Sequence, residues 1–275
     1  MPGRLLALDV DGTLLTSGGQ LTDRTRHALE RAAAVGWHVA LVTGRPLAVA
    51  LPVVHDLALG NHVVAANGAT VVEVTTGRTV HQATLPAPLV IEVVGRLRAA
   101  IPGLGLAVTS NRGLFREPGF DQIAPLSTPH GDAVDDATPG VDDEVHSVVL
   151  YVLGAETMRL LTLVRALVPS ALAVSPSGLR GSVELARPDV DKSSGLARLC
   201  DVLGVGQHEV VAFGDGLNDI GMLRWAGLGV AMGNAFEEAK AAADEVTATN
   251  DADGVAVVVE RLLVEAGRAH PTPPD

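Results

Sequence analysis

Four short polar segments carry side chains suited to cation or phosphate chemistry. The first is Asp9-Val10-Asp11-Gly12-Thr13. Residues two apart in an extended chain project to the same side, so Asp9 and Asp11 should converge at a strand tip. Carboxylates that close repel unless a cation or a shared proton relieves them. With no cysteine or histidine cluster nearby, a hard, oxygen-seeking ion such as Mg²⁺ is the natural candidate. The second segment is Thr43 with Gly44, where a hydroxyl can donate to a phosphate oxygen and the adjoining amides favour an anion. The third is Lys192, at the start of a helix. The fourth is Gly214-Asp215-Gly216-Leu217-Asn218-Asp219.

Each segment also has a plainer reading on its own. Asp-Gly-Thr and Gly-Asp-Gly are ordinary turn sequences, Thr43 is an ordinary helix cap, and most lysines are solvated surface charges. The elements around them decide otherwise. Arg4 to Val10, Trp37 to Val42, His62 to Ala66, Val210 to Phe213 and Leu228 to Ala231 read as short apolar strands. Apolar on both faces, they belong to a buried parallel sheet. Between them lie helices: one capped by Thr22 and closed by Gly36, one starting at Pro46 and expected to kink or shorten at Pro52, one near Asp191, one from about Asn218, one through Glu237 and Ala243, and a last from about Asp253 to Ala266. All four polar segments then fall at the C-terminal ends of parallel strands or at the helix starts beside them, where open α/β sheets bind ligands.

The middle of the chain follows a different grammar. Leu89 to Ala100 reads as helix, Leu104 to Thr109 as strand, Val145 to Leu153 as strand, Glu156 to Leu167 as helix, and Leu172 to Val174 and Ser182 to Leu185 as strands. The expected organisation is a doubly wound, Rossmann-like α/β core in residues 1–84 and 186–275, with an α+β module with an antiparallel sheet inserted at 85–185. Six acids in its loop-rich segment, Asp132, Asp135, Asp136, Asp142, Asp143 and Glu144, lack calcium-loop spacing and read as solvated. Arg112, Arg116 and Arg180 read as surface arginines that could instead meet a substrate's distal groups.

Composition narrows the function classes. The 275 residues are 47% hydrophobic and 3% aromatic, with 19% charged and a net charge of −12. Such a chain is too apolar for disorder, and its core must be built from Ala, Val and Leu. The acidic balance argues against nucleic acid or an anionic membrane surface as partner. The lone Cys200 gives no internal disulfide and reads as a small buried helical residue. No apolar run reaches spanning length, and the first strand runs straight into Asp9 rather than forming a signal sequence. A cytoplasmic protein, monomeric or weakly self-associating, is the expectation.

With these segments in this order, the chain resembles the haloacid dehalogenase superfamily of phosphohydrolases, in its Cof-type (IIB) branch with a C2 cap. The likeness rests on Asp9-x-Asp11-Gly12-Thr13, on Thr43-Gly44-Arg45, on Lys192 and on Gly214-Asp215-x-x-Asn218-Asp219. Asn67-Gly68-Ala69 and Asn250-x-x-x-Gly254-Val255 fit it too. The resemblance implies that Asp9 is a nucleophile forming an aspartyl-phosphate and that Asp11 is the general acid and base. It implies that Thr43 and Lys192 bind the phosphoryl oxygens, with Gly12, Gly44 and Asn218 contributing to substrate binding. Mg²⁺ would be held by Asp9, the main-chain carbonyl of Asp11 and Asp215, while Asp219 acts through water or by orienting Lys192. The implied activity is a Mg²⁺-dependent phosphatase of small phosphorylated metabolites, sugar phosphates foremost, with the inserted module as a cap that sets specificity. A phosphomutase and a receiver-like module that merely accepts phosphate are the alternatives.

Overall fold

The computed structural model describes residues 4–110, 113–124, 131–138, 141, 145–177 and 179–269, with 268 and 269 by backbone alone. The chain begins with β1 (Leu5–Leu8), α1 (Asp23–Ala34), β2 (His38–Val42), α2 (Leu47–Leu57), β3 (His62–Ala65), β4 (Thr70–Glu73) and β5 (Arg78–Gln82). It continues through α3 (Ala87–Ala100), β6 (Gly105–Ser110), β7 (Gly113–Arg116), α4 (Phe120–Ile123), β8 (Asp132–Ala133), β9 (Val145–Tyr151), α5 (Thr157–Leu167), β10 (Ala173–Pro176) and β11 (Ser182–Ala186). It ends with α6 (Lys192–Leu203), β12 (Val210–Gly214), α7 (Ile220–Trp225), β13 (Leu228–Ala231), α8 (Glu237–Lys240), β14 (Glu245–Val246) and α9 (Gly254–Ala269). These elements form two compact units, one of residues 1–44, 53–81 and 191–275 and one of residues 45–52 and 82–190.

The first unit is an eight-stranded sheet in the order β14-β13-β12-β1-β2-β3-β4-β5. From β14 to β3 all neighbours are parallel, as buried apolar strands require. All four residues of β1 are fully buried. Leu5 and Ala7 pack with Leu196 and Leu199 of α6 and Met222 of α7, while Leu6 and Leu8 alternate to the other face. Helix α1 starts where expected, with the Thr22 hydroxyl accepting from the Thr25 amide, and packs against α9.

The sheet departs from expectation beyond β3. Residues 70–82 add two strands, the first antiparallel to β3, so the sheet is mixed at this edge. Helix α2 runs through Pro52 to Leu57, so the proline does not shorten it. The helix from about Asn218 begins two residues later, after a tight turn over Leu217–Asp219, and α8 stops at Lys240.

The second unit is a six-stranded sheet, β10-β11-β9-β6-β7-β8, antiparallel except for the final pair. One face carries Leu106, Val108, Val148, Leu150, Val183 and Leu185, packed with Val90, Val94 and Leu97 of α3 and Leu161 and Val164 of α5. Glu117 is buried and accepts from the amides of Leu106 and Ala137 and from Arg98, which also reaches Asp136 at 3.1 Å. Arg116, expected at the surface, is buried and pairs with Asp121 at 2.9 Å, which accounts for it structurally. Asp132, Asp135, Asp136 and Arg180 are exposed; Arg112, Asp142, Asp143 and Glu144 lie outside the described residues.

One glycine contact in the first unit can be tested directly. A Cβ on Gly195 of α6 would sit 2.5 Å from the Gly68 Cα and 2.7 Å from Val64 Cγ1. Gly95 of α3 has open space around it. Alanine normally stabilises a helix interior relative to glycine by about 0.5–1 kcal/mol, whereas overpacking a filled site costs about 1–3 kcal/mol. Gly95→Ala is therefore expected to raise the unfolding midpoint and Gly195→Ala to lower it. Midpoints moving the same way in thermal or urea melts would contradict this packing.

Candidate active site

Strand register brings the polar segments together. Leu8 of β1 lies between Phe213 of β12 and Leu41 of β2. Asp9 is thus level with Gly214 and Val42, and Asp215 and Thr43 stand one residue further along the neighbouring strands. The Asp9 amide extends the ladder by donating to the Phe213 carbonyl at 3.0 Å. The chain then makes one wide turn, in which the amides of Leu14 and Leu15 donate to the carbonyls of Asp9 and Val10. Gly12 takes a φ of +79° in this turn, and any Cβ there would collide with the Asp215 carboxylate. Glycine at 12 is what lets Asp215 approach, and the Thr13 hydroxyl then donates to Asp215 Oδ1 at 3.0 Å.

Lys192 sits at the first turn of α6, which Asp191 caps by accepting from the Ser194 amide. It is not a solvated lysine. Its side chain is 1% exposed, and Nζ donates to Asp9 Oδ1 at 2.5 Å and Asp219 Oδ1 at 2.6 Å. Asp219 is equally buried, and its other oxygen accepts from the amides of Asp215 and Gly216 at 3.0 and 2.8 Å. Both Asp219 oxygens are thus committed, one to the lysine and one to the loop that presents Asp215.

The charges do not balance. Asp9, Asp215 and Asp219 each offer a carboxylate oxygen within 4.8 Å of the others, against one ammonium. Burial pushes the Asp9 carboxyl up to about 8 against the pull of Lys192, and Asp219 and Asp215 add to the rise. Burial also raises Asp215, opposed by the Thr13 hydrogen bond. For Lys192, burial disfavours the charge, but Asp9 and Asp219 outweigh it and hold the ammonium above its ordinary pKa. An all-oxygen donor set with surplus negative charge fits a hard divalent cation such as Mg²⁺. With Asp219 committed elsewhere, Asp9 and Asp215 are the carboxylates that could hold it.

The remaining expected residues are placed as follows. Asp11 is exposed on the wide turn, and its carboxylate stands outside the group of three. Thr43 is buried at the tip of β2, its amide donating to the Val64 carbonyl. Gly44 follows it, against the side chains of Asn67 and Asn218. Cys200 is buried and free, and burial pushes its thiol up to about 11, which suits no nucleophile. A polar ladder behind the turn at Gly12 is new. Asn234 Nδ2 donates to the Gly12 carbonyl at 2.8 Å, Asn234 Oδ1 accepts from the Asn250 amide at 3.0 Å, and Asn250 Nδ2 donates to the Leu15 carbonyl at 2.9 Å. Asn234 follows the tip of β13, and that position was the signal available in sequence.

The raised Asp9 carboxyl has a thermodynamic consequence in the metal-free protein. A folded-state value of about 8, above the ordinary 3.8, means that the folded chain holds this proton more tightly than the unfolded chain. This contribution to stability is complete below the unfolded value and is lost as pH rises through the folded one. Under chelation, the stability of the wild type relative to Asp9→Asn is expected to fall between about pH 4 and pH 8. Urea melts across that range check this, and a difference independent of pH would overturn it.

Comparison with known proteins agrees with this arrangement. The description of the haloacid dehalogenase-like hydrolases matches residues 6–259. A 5-amino-6-(5-phospho-D-ribitylamino)uracil phosphatase of Bacillus subtilis is 30% identical, over 95% of this chain and 96% of its own. A pyridoxal phosphate phosphatase of Escherichia coli is 28% identical, over 96% and 100%. The crystal structure of a haloacid dehalogenase-like hydrolase from Bacteroides thetaiotaomicron superposes with a TM-score of 0.81 at 28% identity, covering 94% of this chain and 99% of that one. Among the described residues no helix is long and apolar enough to cross a membrane. With its motifs at the tips of parallel strands and at the start of α6, and with residues 6–259 matched, the chain belongs to the haloacid dehalogenase-like hydrolases.

Proposed function

We propose that this hydrolase is a Mg²⁺-dependent phosphatase of small phosphorylated metabolites, sugar phosphates foremost, acting through an aspartyl-phosphate. The observation that carries the reading is the buried Asp9–Lys192–Asp219 triad beside Asp215. Lys192 fixes one oxygen of Asp9, and the attack is assigned to the other. The relatives named for a phosphorylated ribityl compound and for pyridoxal phosphate support a small phosphate monoester as substrate.

In this reading, Asp9 attacks phosphorus, forming a carboxyl–phosphorus anhydride as the bond to the leaving oxygen breaks. A carboxylate needs no activating base for this once it is ionised. Asp11 gives its proton to the leaving oxygen. It then takes one from a water that attacks phosphorus, which releases phosphate and restores Asp9. Its exposed position on the turn allows exchange of that proton with solvent. Thr43 and Lys192 neutralise and position the phosphoryl oxygens, the larger part of catalysis in such transfers. Gly12, Gly44 and Asn218 shape the surrounding contacts. Bound Mg²⁺, held by Asp9, Asp215 and the main-chain carbonyl of Asp11, would offset the surplus negative charge and so favour the ionised form of Asp9. Selection among esters is assigned to side chains of the second unit.

Phosphate release from a panel of phosphorylated metabolites tests the reading. Asp9→Asn is expected to abolish turnover, a loss of at least about a thousandfold, while its unfolding midpoint in metal-free buffer does not fall at neutral pH. Retained turnover would exclude Asp9 as nucleophile. Chelation is expected to remove activity and added Mg²⁺ to restore it; activity indifferent to chelator would remove the metal from the reading.

A further inference from the structure

The turn after β3 is used by none of the steps above, yet it holds a costly conformation. Ala66, Asn67 and Gly68 have φ of +49°, +51° and +100° in succession. Glycine takes such values freely and asparagine tolerates them, but a run of three with alanine at its head persists only when its surroundings enforce it. The β3–β4 hairpin holds its ends, with Ala65 paired to Thr70 and the Ala69 amide donating to the Ala66 carbonyl at 3.1 Å, and its further contacts lead to the site. The Asn67 amide donates to the Thr43 carbonyl at 3.1 Å, and the Asn67 Oδ1 accepts from Asn218 Nδ2 at 3.0 Å. Gly44 lies beneath this pair, since a Cβ there would be 3.0 Å from Asn67 Oδ1 and 3.3 Å from Asn218 Nδ2. Gly68 closes against the Asp191 carbonyl, immediately before Lys192, where no side chain fits.

We infer that Asn67 is a positioning residue for the phosphoryl-transfer reaction. It joins the segments that carry Thr43, Asn218 and Lys192, acting through Asn218 and the Thr43–Gly44 backbone rather than on substrate. Asparagine suits the post on two counts. It accepts the left-handed backbone, and its side-chain oxygen fixes the direction of the Asn218 amide, which is otherwise exposed. The inference rests on the phosphatase reading for its effect on rate, and on the hydrogen bond alone for its geometry.

Asn67→Gly separates the two contributions, because glycine keeps the backbone conformation and deletes the amide. Its kcat/KM, and that of Asn218→Ala, should each fall about tenfold, as loss of one hydrogen bond in the transition state implies. Because the two residues act as one unit, the double variant should fall no further than the worse single variant. The unfolding midpoint of Asn67→Gly should stay near wild type, while Asn67→Ala, which must force alanine into the left-handed region, should lower it. Unchanged activity in Asn67→Gly, or effects that multiply to about a hundredfold in the double variant, overturns the inference. The side-chain amide resonances of Asn218 give a readout that needs no turnover. They should move toward solvent-exposed positions in Asn67→Gly, and resonances that stay put overturn the geometry. A wild type inactive on every ester, with those resonances shifting as expected, would defeat the phosphatase reading and leave the clamp standing.

Discussion

Lys192 is the group on which the site depends. Buried to 1% exposure, an ammonium survives only if carboxylates surround it, and Asp9 and Asp219 supply them. The dependence runs in both directions. Without the lysine, three carboxylates would face one another in a desolvated corner of the sheet. Removing the lysine from such a group costs about 3–5 kcal/mol, because the carboxylates are left buried and unpaired. The triad therefore constrains stability and chemistry together: the charge that orients Asp9 also makes its burial tolerable. The surplus of one carboxylate over what Lys192 and the loop amides satisfy is the electrostatic opening for a cation. An acidic protein can in this way take an anionic substrate.

Around that interaction the fold acts as a registration device. Parallel pairing sets the tips of β1, β2 and β12 side by side, and glycines at 12, 44 and 68 remove the side chains that would hold neighbouring segments apart. Asparagines do the complementary work, each joining backbone or side-chain groups from distant parts of the sequence.

Much of this was legible in the sequence because the sheet strands are apolar on both faces. A polar residue at the end of such a strand is conspicuous, and Asp9, Thr43 and Asp215 were found that way. Other features left no such trace. The edge strand Arg78–Gln82 is half exposed and charged, so it shows no apolar run, although charge is how an edge strand is protected. Pro52 reads as a kink or a shortening of its helix, but it gives up a single backbone bond and α2 continues to Leu57. Arg116 looked like surface because burial of an arginine depends on a partner, Asp121, that only the folded chain supplies. The pairing within the asparagine ladder left no trace for a related reason: Asn234 and Gly12, far apart in sequence, meet only in the folded sheet.

The position of β1 carries a further consequence, for how the chain is made. Its partners are β2, synthesised soon after it, and β12, synthesised only once the 82–190 module is complete. Until residues 210–214 leave the ribosome, one hydrogen-bonding edge of this wholly buried, apolar strand has no native neighbour. Domains finish in the order in which they emerge, so the inserted module can fold ahead of the sheet it interrupts. Residues 5–8 are thus translated well before they reach their final environment. Chains stopped short of β12 would present an open strand edge of the kind that recruits other chains.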